Sequence, residues 1–189
     1  MNKNQKLILY ICTFLTFLFL VLSISLEPIH YRFKKYEDLD DVAAYIYKYN
    51  SLPRNYIKKI QGITNAEVSE KLADGYSFGG DEFRYEGPIT NYTENINLRE
   101  ADYYKDREER IEQGNRGTCR FVYTIRGKKQ IFYTEDHYDT FIELNVSKRF
   151  IPSMIMKIFL YISYSGVVLI IIQHQISLNR RKKRERENN

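Results

Sequence analysis

The rhythm of apolar and polar positions changes several times along the chain. From Leu7 to Leu26, LILYICTFLTFLFLVLSISL, 20 consecutive residues carry no charge. As a helix that stretch spans about 30 Å, the thickness of a bilayer's hydrocarbon core. Beyond it, Val42, Ala43, Ile46 and Tyr49 recur at helical spacing. Asp38 stands where a cap belongs, with Asp41 three residues on, and Ser51-Leu52-Pro53 is a stop; together they predict a helix. A second, shorter helix is predicted in the neighbourhood of Lys58 to Leu72, punctuated by Gly62. After Gly75 the texture turns to short aromatic and β-branched runs separated by Gly, Pro and Asn, which are strand signals. Cys119 to Ile125 and Gln130 to Asp136, joined through Arg126-Gly127-Lys128-Lys129, read as an antiparallel hairpin. The charged run Asp102 to Gln113 is expected to be a solvated insertion. A second uncharged stretch of 21 residues, Ile158 to Leu178, is followed at once by a basic cluster.

This order of elements predicts an α+β domain whose N-terminal helices pack on an antiparallel β-sheet, flanked by two transmembrane helices. The expected limits are an N-terminal anchor or signal over 1–26, a folded domain over 27–150, a C-terminal transmembrane helix over 151–178 and a basic tail over 179–189. A mean hydropathy of -0.49 with 28% charged residues excludes a polytopic transporter, and 43% apolar residues exclude a disordered chain. The net charge of +5 invites a nucleic-acid reading until its distribution is seen. Residues 1–26 carry +2 and Arg180 to Glu187 carry +4, whereas 27–150 stand at -2. By the positive-inside rule both ends are expected in the cytoplasm and the middle outside it, at the cell membrane. The first segment is long for a secretory signal and reads as an uncleaved anchor; a cleaved signal, with Ser23-Ile24-Ser25 as its processing site, is the alternative. Cys12 lies in the first span and Cys119 in the middle, so no disulfide is expected between them.

Within the middle region Glu100, His137, Lys59, Arg116 and Arg120 are the titratable residues that carry a chemical possibility. Attack of a ribose 2′-hydroxyl on its own phosphate needs a base at that hydroxyl, an acid at the departing 5′-oxygen and cations around the phosphorane. One carboxylate, one imidazole and a few Lys or Arg meet that need. His137 without clustered carboxylates of ligand spacing offers no ligand set for zinc or a two-metal centre, so neither metal nor cofactor is expected. Each residue also has a plainer reading. Glu100 could be a surface carboxylate, and Arg116 and Arg120 could be solvated or paired to Asp102. His137 stands beside Asp136, a carboxylate that could orient it.

The order of small motifs adds to this. They are Leu52-Pro53, Asn55-Tyr56-Ile57 with Lys59, Gly79-Gly80-Asp81 with Phe83, Glu86-Gly87, Arg99-Glu100-Ala101-Asp102, Gly114 with Arg116, Arg120, and Asp136-His137-Tyr138 with Thr140-Phe141. From Val42 to about Leu144 the chain resembles the barnase-like family of secreted bacterial guanyl-preferring ribonucleases. The resemblance implies the barnase-like microbial ribonuclease fold and a metal-independent endoribonuclease. Such an enzyme cleaves single-stranded RNA to a 2′,3′-cyclic phosphate and then hydrolyses it.

In that family's terms Glu100 is the general base and His137 the general acid, the roles reversing in hydrolysis, while Lys59, Arg116 and Arg120 hold the phosphate. Glu86 would accept hydrogen bonds from the N1 and N2 edge of guanine, backbone amides near Arg84 and Tyr85 would read its O6, and Phe83 and Tyr138 would complete the substrate site by packing and stacking. The implied partners are RNA, the membrane through two spans, and a barstar-like acidic inhibitor. The chain departs from the family in a loop from Asp81 to Gly87 that is one residue shorter. Tyr85 stands where the family has Arg, Asn115 stands where an aromatic precedes Arg116, and there is no Trp. The altered loop motivates a second reading, a non-catalytic membrane-bound module that holds a nucleotide, RNA or protein on the same fold.

Overall fold

The computed structural model describes residues 1–84 and 98–187. Contacts divide the chain into two compact units, Pro28–Arg149 and a helical unit made of Met1–Glu27 with Phe150–Asn189.

The helical unit contains α1 (Lys3–Ser25) and, at the other end of the chain, a second long helix. In the central unit, α2 (Leu39–Tyr49) begins where expected, because the Asp38 carboxylate accepts from the amides of Asp40 and Asp41. It ends one residue before the predicted stop, at Asn50, which takes the left-handed conformation at φ 52°. Its buried face is Val42, Ala43, Ala44, Tyr45 and Ile46. Strand β1 (Tyr56–Ile57) follows, then α3 (Asn65–Ala73). This second helix starts several residues later than its predicted neighbourhood. Thr64 and Glu67 form a reciprocal capping box there, and Gly62 at φ 75° keeps the preceding segment out of the helix.

The remaining strands are β2 (Ser77–Phe83), β3 (Leu98–Asp102), β4 (Arg120–Thr124), β5 (Ile131–Thr134) and β6 (Ile142–Glu143). Among the described residues they form a six-stranded sheet in sequential order. The sheet is mixed rather than purely antiparallel. The β4–β5 hairpin and its neighbours pair antiparallel as expected, but β1 pairs parallel to β2, since α3 carries the chain back between them. A two-residue strand is too short to show alternation, so the pattern did not reveal it.

The predicted solvated insertion contains a helix, α4 (Arg107–Gln113), capped by Asp106. Its Ile111 packs against the cluster of Val68, Leu72, Phe78 and Tyr104, and its Arg107 reaches the carbonyls of Leu72 and Tyr76 at 3.1 and 2.8 Å. The charge of this run therefore serves partly to close polar ends of α3 and β2. A second cluster, Leu98, Val122 and Phe132 with Phe83, Tyr138 and Phe141 against it, spans β2 to β5 on one face of the sheet. Fully burying a side chain such as Phe132 contributes about 1.5–3 kcal/mol.

Gly79 is the tightest point of the sheet. A Cβ there would lie 2.5 Å from Ala101 Cβ and 2.7 Å from its Cα. Gly79→Ala is expected to destabilise the protein by about 1–3 kcal/mol, read as a lowered urea midpoint.

In the helical unit, the second long helix is α5 (Ile151–Glu187). It and α1 are long and apolar enough to cross a membrane by length and composition. The helix does not stop near Leu178 but runs on through the basic tail. Arg, Lys and Glu are good helix formers, and Lys183 and Glu187 pair at i, i+4.

Candidate active site

Strand register decides which side chains share a face. Glu100 lies opposite Val122 on β4 and Asp81 on β2; Asp102 lies opposite Arg120; Leu98 lies opposite Phe83. Because cross-strand partners point the same way, Asp81, Phe83, Glu100, Asp102 and Arg120 occupy one face. Asp81 belongs there only through a β-bulge. Gly79 pairs with Ala101, so an uninterrupted ladder would set Asp81 opposite Arg99 on the other face. The extra residue, Gly80 at φ 96°, shifts the register and delivers Asp81 beside Glu100.

Below Glu100 on this face, Asp102 is fully buried and holds a network together. Arg116 binds it through two donors at 2.5 and 2.6 Å, Arg120 Nε lies 3.0 Å from it, and the Tyr104 hydroxyl donates to it at 2.8 Å. The Tyr56 hydroxyl donates to its carbonyl at 3.1 Å. Burial, then the adjacent Asp102 charge, raise both phenol pKa values, so both remain donors. Burial opposes the charge on Arg116, but the hydrogen bonds and charge of Asp102 outweigh it and raise its pKa. Arg120, 4% exposed, gives further donors to the carbonyls of Arg116, Cys119 and Gly117 at 3.3, 2.8 and 3.0 Å. The pairing of both arginines to Asp102, one of the plain alternatives read from the sequence, is thus present. One carboxylate between two guanidiniums leaves a net +1, and the charge of Glu100 is felt at Arg116.

The Asp136-His137-Tyr138 turn follows β5. His137 and Tyr138 both take left-handed conformations, at φ 58° and 83°, which cost L residues of order 1 kcal/mol each. The strain is offset by a compact set of bonds. Asp136 accepts from the Thr134 hydroxyl at 2.7 Å and from the Thr140 amide and hydroxyl at 2.9 and 2.5 Å, and the Tyr138 amide donates to Thr134 Oγ1 at 3.1 Å. These bonds go to the turn, so Asp136 holds the backbone that carries His137 rather than the imidazole itself. The expectation that it orients the ring is corrected accordingly.

Thr140, then Thr134, hold the Asp136 carboxyl below its ordinary value, at about 2. A depressed folded pKa contributes stability above the ordinary carboxylate range and loses it as pH falls from about 4 through 2. Asp136→Asn is expected to flatten that acid limb in urea midpoints measured against pH, leaving the neutral limb parallel to wild type.

The turn delivers Tyr138 to the site face. Its hydroxyl donates a short hydrogen bond to Glu100, and its ring centroid lies 4.8 Å from that of Phe83 and 4.8 Å from that of His137. Burial, and next the Glu100 bond, push the Tyr138 phenol upward, keeping it a donor. Lys59 is exposed after β1, and its amide lies 3.4 Å from Asp81, the carboxylate in register with Glu100. Arg84, exposed at the end of β2, lies 3.7 Å from Glu82. Tyr85 and Glu86, expected to read the base, lie outside the described residues.

The structure therefore joins Glu100, Tyr138, Phe83, Arg116 and Arg120 in one neighbourhood, with His137 through Tyr138 and Lys59 through Asp81. Sequence reasoning missed the structural work of Asp81, Tyr56 and Tyr104, and named Asp102 only as an alternative partner of the arginines. Asp102 and Glu100 are two apart on a strand, a spacing that signals a shared face.

No protein-family model matches the chain. It is 35% identical over 111 residues to a protein named Ribonuclease from Heyndrickxia coagulans, a match covering 56% of this chain and 94% of that protein. It is also 35% identical over 111 residues to proteins named Ribonuclease from Bacillus intermedius and Bacillus pumilus, spanning 63% of the length of each.

Proposed function

Because the chain belongs to the family of these bacterial ribonucleases, we propose that it is a membrane-tethered endoribonuclease that works without a metal ion on the outer side of the membrane. The observation that carries the chemical reading is the shared face of β3 and β4. It sets a half-buried carboxylate, Glu100, beside a net positive Asp102, Arg116 and Arg120 cluster and under the hydroxyl of Tyr138.

Glu100 takes the proton of the ribose 2′-hydroxyl as that oxygen attacks phosphorus. His137, exposed at the turn, protonates the 5′-oxygen as its bond to phosphorus breaks, leaving a 2′,3′-cyclic phosphate. In hydrolysis His137 takes a proton from water and Glu100 returns one to the 2′-oxygen. The Tyr138 bond fixes the carboxylate, so one oxygen is held and the other is left for the substrate. Arg116 commits two of its donors to Asp102 and keeps others for a phosphate oxygen. Arg120, bonded to Asp102 and three carbonyls, acts chiefly through its charge on the phosphorane. Lys59, held at the rim by Asp81, adds a mobile cation.

Guanosine preference rests on Glu86 with the amides near Arg84 and Tyr85, and a base would stack on Tyr138 over Phe83. The positive cluster is also the feature an acidic, barstar-like inhibitor would complement. Tethering is supported by the two apolar helices, and the basic residues at both ends favour an orientation with both termini in the cytoplasm.

The test is the full chain in detergent micelles with GpU and ApU in EDTA. Release of guanosine 2′,3′-cyclic phosphate, faster than the adenosine product and lost in His137→Ala, is expected. Binding without turnover would establish the module reading instead, and turnover only after metal is added would overturn metal independence. For sidedness, protease added to intact cells should digest the middle and spare the tail; the reverse would overturn the orientation.

A further inference from the structure

Soluble helix pairs bury large apolar side chains and expose small or polar ones, and the helical unit does the opposite. Tyr10 and Phe14 of α1 and Tyr161 and Ile162 of α5 are 62–70% exposed, whereas Ser23, Ser153 and Ser163 are buried. The facing residues follow a seam of alternating three and four residue steps: Cys12, Thr16, Phe19 and Ser23 on α1 run against Gly166, Ser163 and Phe159 on the antiparallel α5. At one level a Cβ on Gly166 would lie 3.4 Å from Cys12 Sγ. At the next, Thr16 and Ser163 hydroxyls lie 3.1 Å apart. Ser163 can donate to the Leu160 carbonyl at 3.0 Å and accept from Thr16, so both hydroxyls are satisfied. Phe19 stacks on Phe159 at 5.3 Å, and beyond the end of α1 Glu27 pairs with Lys157 at 2.8 Å.

In hydrocarbon, helices associate by close approach at small residues and by hydroxyl bonds, while large apolar side chains face lipid. From this seam we propose that α1 is the permanent intramembrane partner of α5 within the same chain, retained in the mature protein rather than removed as a leader. The proposal rests on the membrane-spanning reading given above. Removing α1 would turn Ser163 and the bare backbone at Gly166 toward lipid. Cleavage after Ser25 would also cut α1 from Glu27, which closes the pair. The long apolar N-terminal run, ambiguous by length between anchor and signal, is thereby assigned by what it packs against.

The seam is tested by disulfide trapping in native membranes, with Cys119→Ser leaving Cys12 as the one natural thiol. Gly166→Cys sets a second Cβ within the approach a disulfide needs. Mild oxidation is expected to link a peptide containing residue 12 to one containing residue 166 in protein that stays monomeric on a non-reducing gel. Ile162→Cys and Leu169→Cys, which face outward at 62% and 59% exposure, should not link. The Thr16→Cys, Ser163→Cys pair repeats the trap one step along should Gly166→Cys perturb the helix.

Disulfide-linked dimers would show that the seam serves a second copy and overturn the proposal, as would mature protein lacking the Cys12 peptide. Both variants failing to link, with free thiols that still label, would do the same. Carbonate extraction reports separately on the membrane reading: protein released to the supernatant would end that reading, whereas protein retained in the pellet with no link would end only the pairing.

Discussion

Glu100→Gln is expected to lower kcat for GpU cleavage by about 10²–10⁴-fold while changing KM by less than tenfold. The amide keeps the size of the side chain and can still accept the Tyr138 hydrogen bond, so the turn and the Phe83 stack should persist. What it loses is the capacity to take a proton from the 2′-hydroxyl. The separation of kcat from KM distinguishes this from loss of the fold, and unfolding free energies from urea titration within about 1 kcal/mol of wild type would secure the distinction. Tyr138→Phe supplies the contrast. It removes the bond that fixes Glu100 but leaves the base, so its loss should be smaller, of the order of one hydrogen bond to a charged group, roughly 10–100-fold. Undiminished turnover in Glu100→Gln would remove Glu100 from the reaction and with it the assignment of the β3 face as the reaction centre.

Asp102→Asn should be the most destabilising single substitution in the central unit. It preserves shape and removes the charge shared by Arg116 and Arg120, the second of which is 4% exposed and cannot turn to water. Breaking a buried pair by removing one partner costs about 3–5 kcal/mol, because a cation remains where its charge is no longer balanced. For a unit of this size the thermal midpoint should fall by roughly 10–20 °C. The Tyr56 and Tyr104 hydroxyls keep their donor role, so the damage should be electrostatic rather than packing. Asp102→Leu combined with Arg116→Met and Arg120→Met should recover much of the stability, since an apolar replacement of a whole buried network is often neutral, yet it should remain inactive. Recovery of stability without activity would separate the two roles of the arginines. A midpoint unchanged in Asp102→Asn would show that Asp102 is not the charge that holds them.

How much of this could be read along the chain depends on whether the cause was local. The cap at Asp38 and the apolar stripe of α2 lie within a dozen residues, and the β4–β5 hairpin turns on the four residues from Arg126 to Lys129, so both were legible. The uncharged runs from Leu7 and Ile158 announced α1 and α5 by length, although the persistence of α5 to Glu187 followed from helix propensity rather than hydropathy. Helix α4 was hidden because Arg107 spends its charge on carbonyls of α3 and β2 and Ile111 is its lone large apolar residue. Glu100, His137, Arg116 and Arg120 could be named from residue type, order and resemblance. Pairing of both arginines to Asp102 was one of two alternatives open from the sequence, and the pairing of β3 with β4 decides it; that Asp136 serves the turn rather than His137 depends on the positions of two threonine hydroxyls.

The bulge at Gly80 makes the site a matter of parity. Side chains on a strand alternate with period two, so what assigns Asp81 to the reaction face is whether the count of residues back to Gly79 is odd or even relative to β3. Deleting Gly80 outright would set Asp81 directly after Gly79 and still opposite Glu100, whereas keeping every residue and straightening the bulge would exchange the faces. Asp81 would then exchange its place beside Glu100 for one opposite Arg99, and the Lys59 amide would lose its carboxylate. The place of Asp81 therefore depends on one extra residue being held out of the ladder, which the backbone freedom of Gly80 at φ 96° allows.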